Sequence, residues 1–280
     1  MGRLAALLAV LCAAPAVAPA EPVTFVACAP GFPGSTAEAQ SRMDAFAAAV
    51  AQAVAGKPDF RAEYYETEEP GVARLGRPDA ALALATLPFF LKYETRLGLV
   101  ARGQAVMQGA SASESWSLVA GKGRVSGPQA LDGWEILSPA AYAPRFVRGT
   151  ALAGWGKVPA GARLVASTSV LTGLRRAAAG EKVVLLLDGA QGAAVPTLPF
   201  ANDLEVLARS EPLPVFVVAL VRGRLPEAQA RSILQALEAL GGKPEGAAAL
   251  QGLELERFMP LDEPALRRAR ESYLGAPEGP

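Results

Sequence analysis

Four short apolar runs constrain this chain most: Val23–Cys28 (VTFVAC), Asp79–Leu84 (DAALAL), Val183–Leu187 (VVLLL) and Val215–Val221 (VFVVALV). Each is too short for a stable helix and is flanked by turn signals such as Gly76, Pro78 and Gly189. Runs that are apolar at nearly every position, not at alternate ones, are strands covered on both faces. Such strands need helices above and below them, which makes the chain an α/β protein.

The intervening segments supply those helices. Ser35 or Thr36 caps a long one, with Glu38 as the capping-box partner of Ser35. Met43, Phe46, Ala47, Val50 and Val54 form its apolar face, and Gly56 with Pro58 ends it. Phe60–Glu66 reads as a second strand, and Glu66–Glu69 as a solvated acidic loop. Pro88 suits the first turn of a helix over Phe89–Arg96. Strands follow at Leu99–Met107 and Ser115–Ala120. Ser126–Leu131 is a short helix, Trp134–Leu137 a strand, and Ser138 with Pro139 opens a further helix carrying Tyr142, Arg145 and Phe146. A strand over Arg163–Ala166 and a helix over Ser169–Ala179 precede the Val183–Leu187 run. The last third is mostly helical, over Pro226–Leu240, Gly246–Gln251 and Asp262–Leu274.

The alternation predicts two α/β units, each a mixed, mostly parallel, doubly wound sheet flanked by helices, with the second inserted into the first. Residues 1–20 form a leader, residues 21–106 and 203–280 lobe one, and residues 107–202 lobe two. Gly103–Gly109 and Pro196–Asp203 are the expected crossing strands. The C-terminal helices are assigned to lobe one.

Arg3, the apolar Leu4–Ala14 and the small residues up to Ala20 fit a cleaved export signal, so the expected compartment is the periplasm. Beyond that signal only Cys28 remains, so no internal disulfide can form. Lys plus Arg and Asp plus Glu balance at 27 each, which gives no footprint for nucleic acid. The chain contains 0 histidines. That removes Ser-His-Asp and Cys-His nucleophilic sites and histidine metal ligands. No enzyme activity, cofactor or metal is expected.

Several stretches resemble the type II periplasmic solute-binding proteins of the phosphate/phosphonate ABC-transporter class: VTFVACAPGFPGSTAEAQSRMDAFAAAV, DAALALATLPFFL, ESWSLVAGKGRVSGPQALDGWEIL, SEPLPVFVVALVRGRLPEAQARSILQALEAL and ERFMPLDEPAL. The resemblance implies two lobes closing on a small solute, a monomer, and a membrane permease as partner. It also places a ligand-contacting acid near Asp188. In one place the sequence departs from the family. Where phosphonate binders have a hydroxyl-rich Ser-Thr-Ser-Gly type turn, this chain has Ser138-Pro-Ala-Ala-Tyr142. The ligand is therefore left open between a phosphate- or phosphonate-like anion and something more apolar. A lipid or sterol carrier, or a ligand-sensing envelope protein without a permease, is the alternative.

Ligands of open α/β sheets sit beyond the carboxyl ends of strands, and helix N-termini there can hold anions. The candidate ligand-binding residues on that logic are Phe32, Ser35, Thr36, Thr86, Phe89, Ser138, Tyr142, Arg145 and Asp188.

Overall fold

The computed structural model describes residues 22–32 and 34–276, and the expected export signal with its cleavage near Ala20 lies outside the described residues. The chain begins β1 (Val23–Cys28), α1 (Thr36–Ala53), β2 (Phe60–Tyr65), α2 (Glu68–Leu75), β3 (Ala80–Thr86), α3 (Leu87–Leu97) and β4 (Leu99–Met107). A two-residue strand, β5 (Ser113–Glu114), leads into β6 (Ser117–Gly121), β7 (Glu135–Ser138), β8 (Arg163–Ala166), α4 (Val170–Ala178), β9 (Val183–Leu187), α5 (Gly189–Ala194) and β10 (Leu204–Arg209). The chain returns through β11 (Leu213–Pro214) to β12 (Phe216–Val221), α6 (Glu227–Ala239), α7 (Pro244–Gly252), β13 (Leu255–Pro260) and α8 (Glu263–Gly275).

These strands make two mixed sheets. The first has the order β13-β4-β12-β3-β1-β2 and the second β10-β6-β9-β7-β8. Parallel pairing is confined to β3-β1-β2 and β9-β7-β8; β12 and β13 join the first sheet antiparallel, and β10 and β6 the second. The sheets are thus mixed, as expected. The strands that follow each chain crossing run opposite to their neighbours.

The crossing itself lies elsewhere than expected. Leu204–Arg209, assigned from sequence to lobe one, pairs antiparallel with β6 at the edge of the second sheet. The chain passes between sheets at β5 and β11, which pair with each other through Leu213 opposite Glu114 and Pro214 opposite Ser113. Neither Gly103–Gly109 nor Pro196–Asp203 is the crossing. Most of the first stretch lies in β4, and the second belongs to the turns before β10.

Each face of the first sheet has its own core. On one side Phe25, Met43, Phe46, Leu82, Leu84, Phe216, Val218, Ile233 and Phe258 pack between the sheet and α1, α6 and α7. Phe25 stands 5.2 Å from Phe46 and 6.4 Å from Phe258, ring centre to ring centre. On the other side a cluster runs from Val26, Leu87, Phe89 and Phe90 into the second lobe through Trp116, Ile136 and Phe146. The apolar contacts therefore continue from lobe to lobe. α8 takes part in this bridge: Thr150 bonds the Ala269 carbonyl at 3.5 Å, and Arg270 pairs with Glu94 of α3 at 2.7 Å. The last helix thus joins both lobes and is not confined to lobe one.

Two local expectations also change. Glu66–Glu69 is not a solvated loop, because Glu68 and Glu69 form the acidic first turn of α2, where the helix dipole favours negative charge. And no helix opens at Ser138. Residues 139–142 are turns, and the helical segment that follows includes a π-helical stretch at Phe146–Ala151. Pro144 explains the delay, since it disfavours helical backbone at Ala143.

Candidate functional site

β1 and β3 both end at the gap between the lobes. There the turn after β1 supplies Pro30, Gly31 and Phe32, and the end of β3 supplies Thr86 and Pro88. The crossing ribbon contributes Glu114 and Val215, and the second lobe contributes Trp116, Pro139, Ala140, Tyr142 and Asp188. Together they enclose a small cavity of about 20 Å³, room for about one water-sized group.

The lobes touch closely here. Gly31 has φ +89°, and a Cβ on it would stand 2.6 Å from Pro139 Cβ. Only glycine satisfies both the left-handed backbone and that approach. Above it the Thr86 and Tyr142 hydroxyls meet across the gap at 3.3 Å. Burial pushes the Tyr142 phenol well above its ordinary range, so it stays protonated. Lys92 of α3 donates to the Tyr142 carbonyl at 2.6 Å and also pairs with Glu68.

The floor of the cavity is acidic. Asp188 caps α5 by accepting from the Gln191 amide at 2.8 Å, and Glu114 accepts from the Gly189 amide at 2.8 Å. The two carboxylates are thus tied to neighbouring residues of one helix start. Burial raises Glu114 from 4.5 to about 7, with the Asp188 charge adding to the rise against the Gly189 hydrogen bond. Burial also raises Asp188. Among the described residues no Lys or Arg lines this cavity. The close fit again depends on glycine, since a Cβ at Gly189 would meet Glu114 Cβ at 2.6 Å.

Of the residues singled out from sequence, Phe32, Thr86, Tyr142 and Asp188 come together at this cavity. The others are placed elsewhere. Ser35 and Glu38 form the expected capping box on α1 and do not line this cavity. Thr36 donates its amide to Glu66 at 2.9 Å and bonds the same carboxylate through its hydroxyl. Phe89 is corrected to a core residue: it and Phe90 are both 0% exposed, and Phe89 packs on Tyr93 at 4.9 Å. Pro88 takes the lining position instead. Ser138 is buried at the end of β7, and its hydroxyl accepts from the Ala140 amide at 3.1 Å, forming a tight turn and not a helix cap. Arg145 donates to the Ala276 carbonyl at 3.2 Å and lies over the Tyr273 ring, and it does not line the cavity.

Glu114 and Trp116 were missed. Glu114 lies in a two-residue strand with no periodicity to mark it, and only its position just before the strand read at Ser115–Ala120 hinted at a chain crossing. Trp116 packs edge-on against Phe146 at 5.1 Å, so it lines the cavity and holds the core at once. Among the described residues no cluster of three or more metal-ligating side chains occurs, and no helix is long and apolar enough to cross a membrane.

Residues 156–266 match the family of ABC-transporter, phosphonate, periplasmic substrate-binding proteins. No curated protein matches by sequence. Solved structures agree on the fold. A Xanthomonas citri protein bound to ATP superposes with a TM-score of 0.70 at 15% identity, covering 91% of this chain and 97% of that one. A binding-protein component of a Pseudomonas aeruginosa ABC phosphonate transporter gives 0.63 at 16% identity, over 91% and 86% of the two chains. PhnD1 of Prochlorococcus marinus, in complex with methylphosphonate, gives 0.60 at 11% identity, over 90% and 96%. Residues 156–266 are thus similar to the periplasmic substrate-binding proteins of phosphonate ABC transporters, and over its described length the chain shares the fold of these solved binding proteins.

Proposed function

We propose that the chain captures a small zwitterion of the aminophosphonate kind between its lobes and delivers it to a membrane permease, without turning it over. The family match supports the phosphonate half and the periplasmic, non-catalytic role. The amine half rests on one observation: Glu114 and Asp188 both line the cavity, and among the described residues no basic side chain lines it with them. A bare phosphonate brought there would meet like charge, which a buried site penalises strongly. An ammonium group removes that penalty by pairing with the acids, and the Thr86 and Tyr142 hydroxyls are left for phosphonate oxygens. Export with cleavage near Ala20 and action as a monomer, without cofactor, metal or nucleic acid, complete the reading. A lipid or sterol carrier has less support, because two acids and two hydroxyls line this cavity.

The test is calorimetric titration of the mature chain at pH 8 with aminomethylphosphonate and methylphosphonate. The amine-bearing probe is expected to bind at least tenfold tighter, and Glu114→Gln with Asp188→Asn to erase the difference. Equal or tighter binding of methylphosphonate overturns the amine assignment.

A further inference from the structure

A second cavity of about 460 Å³ lies against the same strand ends, walled by Phe25, Ala27, Ala29, Phe32, Ala39, Met43, Leu84, Met107, Phe216, Leu253 and Leu255 among others. Its volume falls in the range of small-molecule sites. Charged groups are confined to Glu38, Arg42 and Glu254, and Glu38 is already engaged by the Ser35 cap. Tyr64 adds a buried hydroxyl, and the rest of the wall is apolar.

This space adjoins the acidic cavity. Phe32 lines both, its ring 5.1 Å from that of Phe216. Side chains two apart on a strand share a face, and Leu84, a wall of the large cavity, stands one such step from Thr86 of the small one. The step is roughly 7 Å. The cross-strand pairs repeat the relation: Phe216 lies opposite Thr86, and Val218 opposite Leu84. Ala29 and Phe216 of the large cavity are likewise the chain neighbours of Pro30 and Val215 of the small one. The two spaces are thus successive compartments along one face of β3 and β12, with Phe32 as the partition.

We propose that the large cavity is a subsite for an apolar arm of the ligand, whose charged head sits at Glu114 and Asp188, and that Phe32 determines how long an arm is admitted. The inference rests on the head-group assignment above. The polar compartment holds about 20 Å³ and the apolar one about 460 Å³, so a substituent larger than the head has its room behind Phe32. The substrate class is then a zwitterionic head on an aliphatic or aromatic side arm.

The test uses 1-aminoalkylphosphonates of growing chain length, from aminomethyl to 1-aminohexyl, so that the head stays constant. Affinity is expected to rise roughly three- to fourfold for each methylene buried. Filling the cavity with Ala39→Phe or, independently, Leu253→Trp should flatten that rise while leaving aminomethylphosphonate binding unchanged. Methionine methyl NMR gives a second readout, since the whole sequence has 4 methionines and Met43 and Met107 line this cavity. The 1-aminohexyl probe should shift those two methyls and leave Met259 in place. Head binding with no dependence on chain length overturns the subsite and leaves the head assignment standing. If no zwitterion binds, 1-hexanol separates the two readings: shifts at Met43 and Met107 keep the subsite and reject the head, and no shifts reject both.

Discussion

Lys92 of α3 donates to the backbone carbonyl oxygen of Tyr142 at 2.6 Å, so an ammonium rooted in the first lobe is bonded to the main chain of the second. The same nitrogen pairs with Glu68 and lies 5.6 Å from the centre of the Tyr142 ring. One residue therefore links α2, α3 and the turn that carries a cavity hydroxyl.

Lys92→Met is expected to loosen this link at a cost of about 1–3 kcal/mol, the range for a hydrogen bond to a charged group. The lobes should separate more readily. Pulsed electron spin distances between labels on the two lobes should lengthen in the variant without ligand, and an unchanged distance distribution would show that Lys92 does not hold the closed form.

Gly31→Ala should act from the other side of the gap. Its Cβ would meet Pro139 Cβ at 2.6 Å on a backbone with φ +89°, which strains any side chain. Closure becomes harder, and affinity for aminomethylphosphonate is expected to fall at least tenfold. Circular dichroism should remain that of the wild type, because the loop lies outside both sheets.

Stability should respond to pH in two windows, with opposite signs. Glu114 titrates near 7 in the fold against 4.5 ordinarily. The native state therefore holds a proton that the unfolded chain has lost, so the contribution is fully present below pH 4.5 and fades as pH rises through 7. It amounts to on the order of 3 kcal/mol. Asp79 runs the other way: the Arg74 guanidinium holds it at about 2 against an ordinary 3.8. Its contribution is present above pH 3.8 and is lost as pH falls through 2. Thermal melts across this range should show the first slope vanish in Glu114→Gln and persist in Asp79→Asn.

Arg74→Met removes the centre of a network in which the guanidinium bonds Glu63 at 2.7 Å and Asp79 at 2.6 Å. Two acids would then remain together without their cation. The expected loss is about 2–3 kcal/mol, below that of a fully buried pair because both acids keep contact with water. Urea unfolding should show the midpoint fall with little change in slope.

What the sequence disclosed depended on range. The Ser35–Glu38 capping box and the apolar face of α1 were legible because both are set within a few residues. The runs at Val183–Leu187 and Val215–Val221 were legible as strands because uninterrupted burial leaves an uninterrupted apolar pattern. β10 was misplaced because its residues carry no mark of which sheet they pair with; the partner, β6, lies more than eighty residues earlier. At the cavity, Asp188 was found as a strand-end acid, whereas Glu114 depends on a crossing formed with Leu213. Ser138 and Arg145 were drawn toward the ligand by an expected helix that Pro144 postpones. Phe89 was placed there as part of an apolar wall with Thr86 and Phe32, though its own side chain is fully buried in the core.

The central place of β12 fixes the order in which a growing chain can complete its parts. β12 alone joins β3-β1-β2 to β4 and β13. The second lobe's strands lie in one continuous stretch ending at Arg209, before β12 has been made. A chain emerging from its amino end can therefore finish the inserted lobe first, while the enclosing one waits as two separate pieces. Its exposed strand edges at β3 and β4 are the vulnerable surfaces during that interval, and interruption of synthesis between residues 210 and 221 would release a chain half folded and prone to associate.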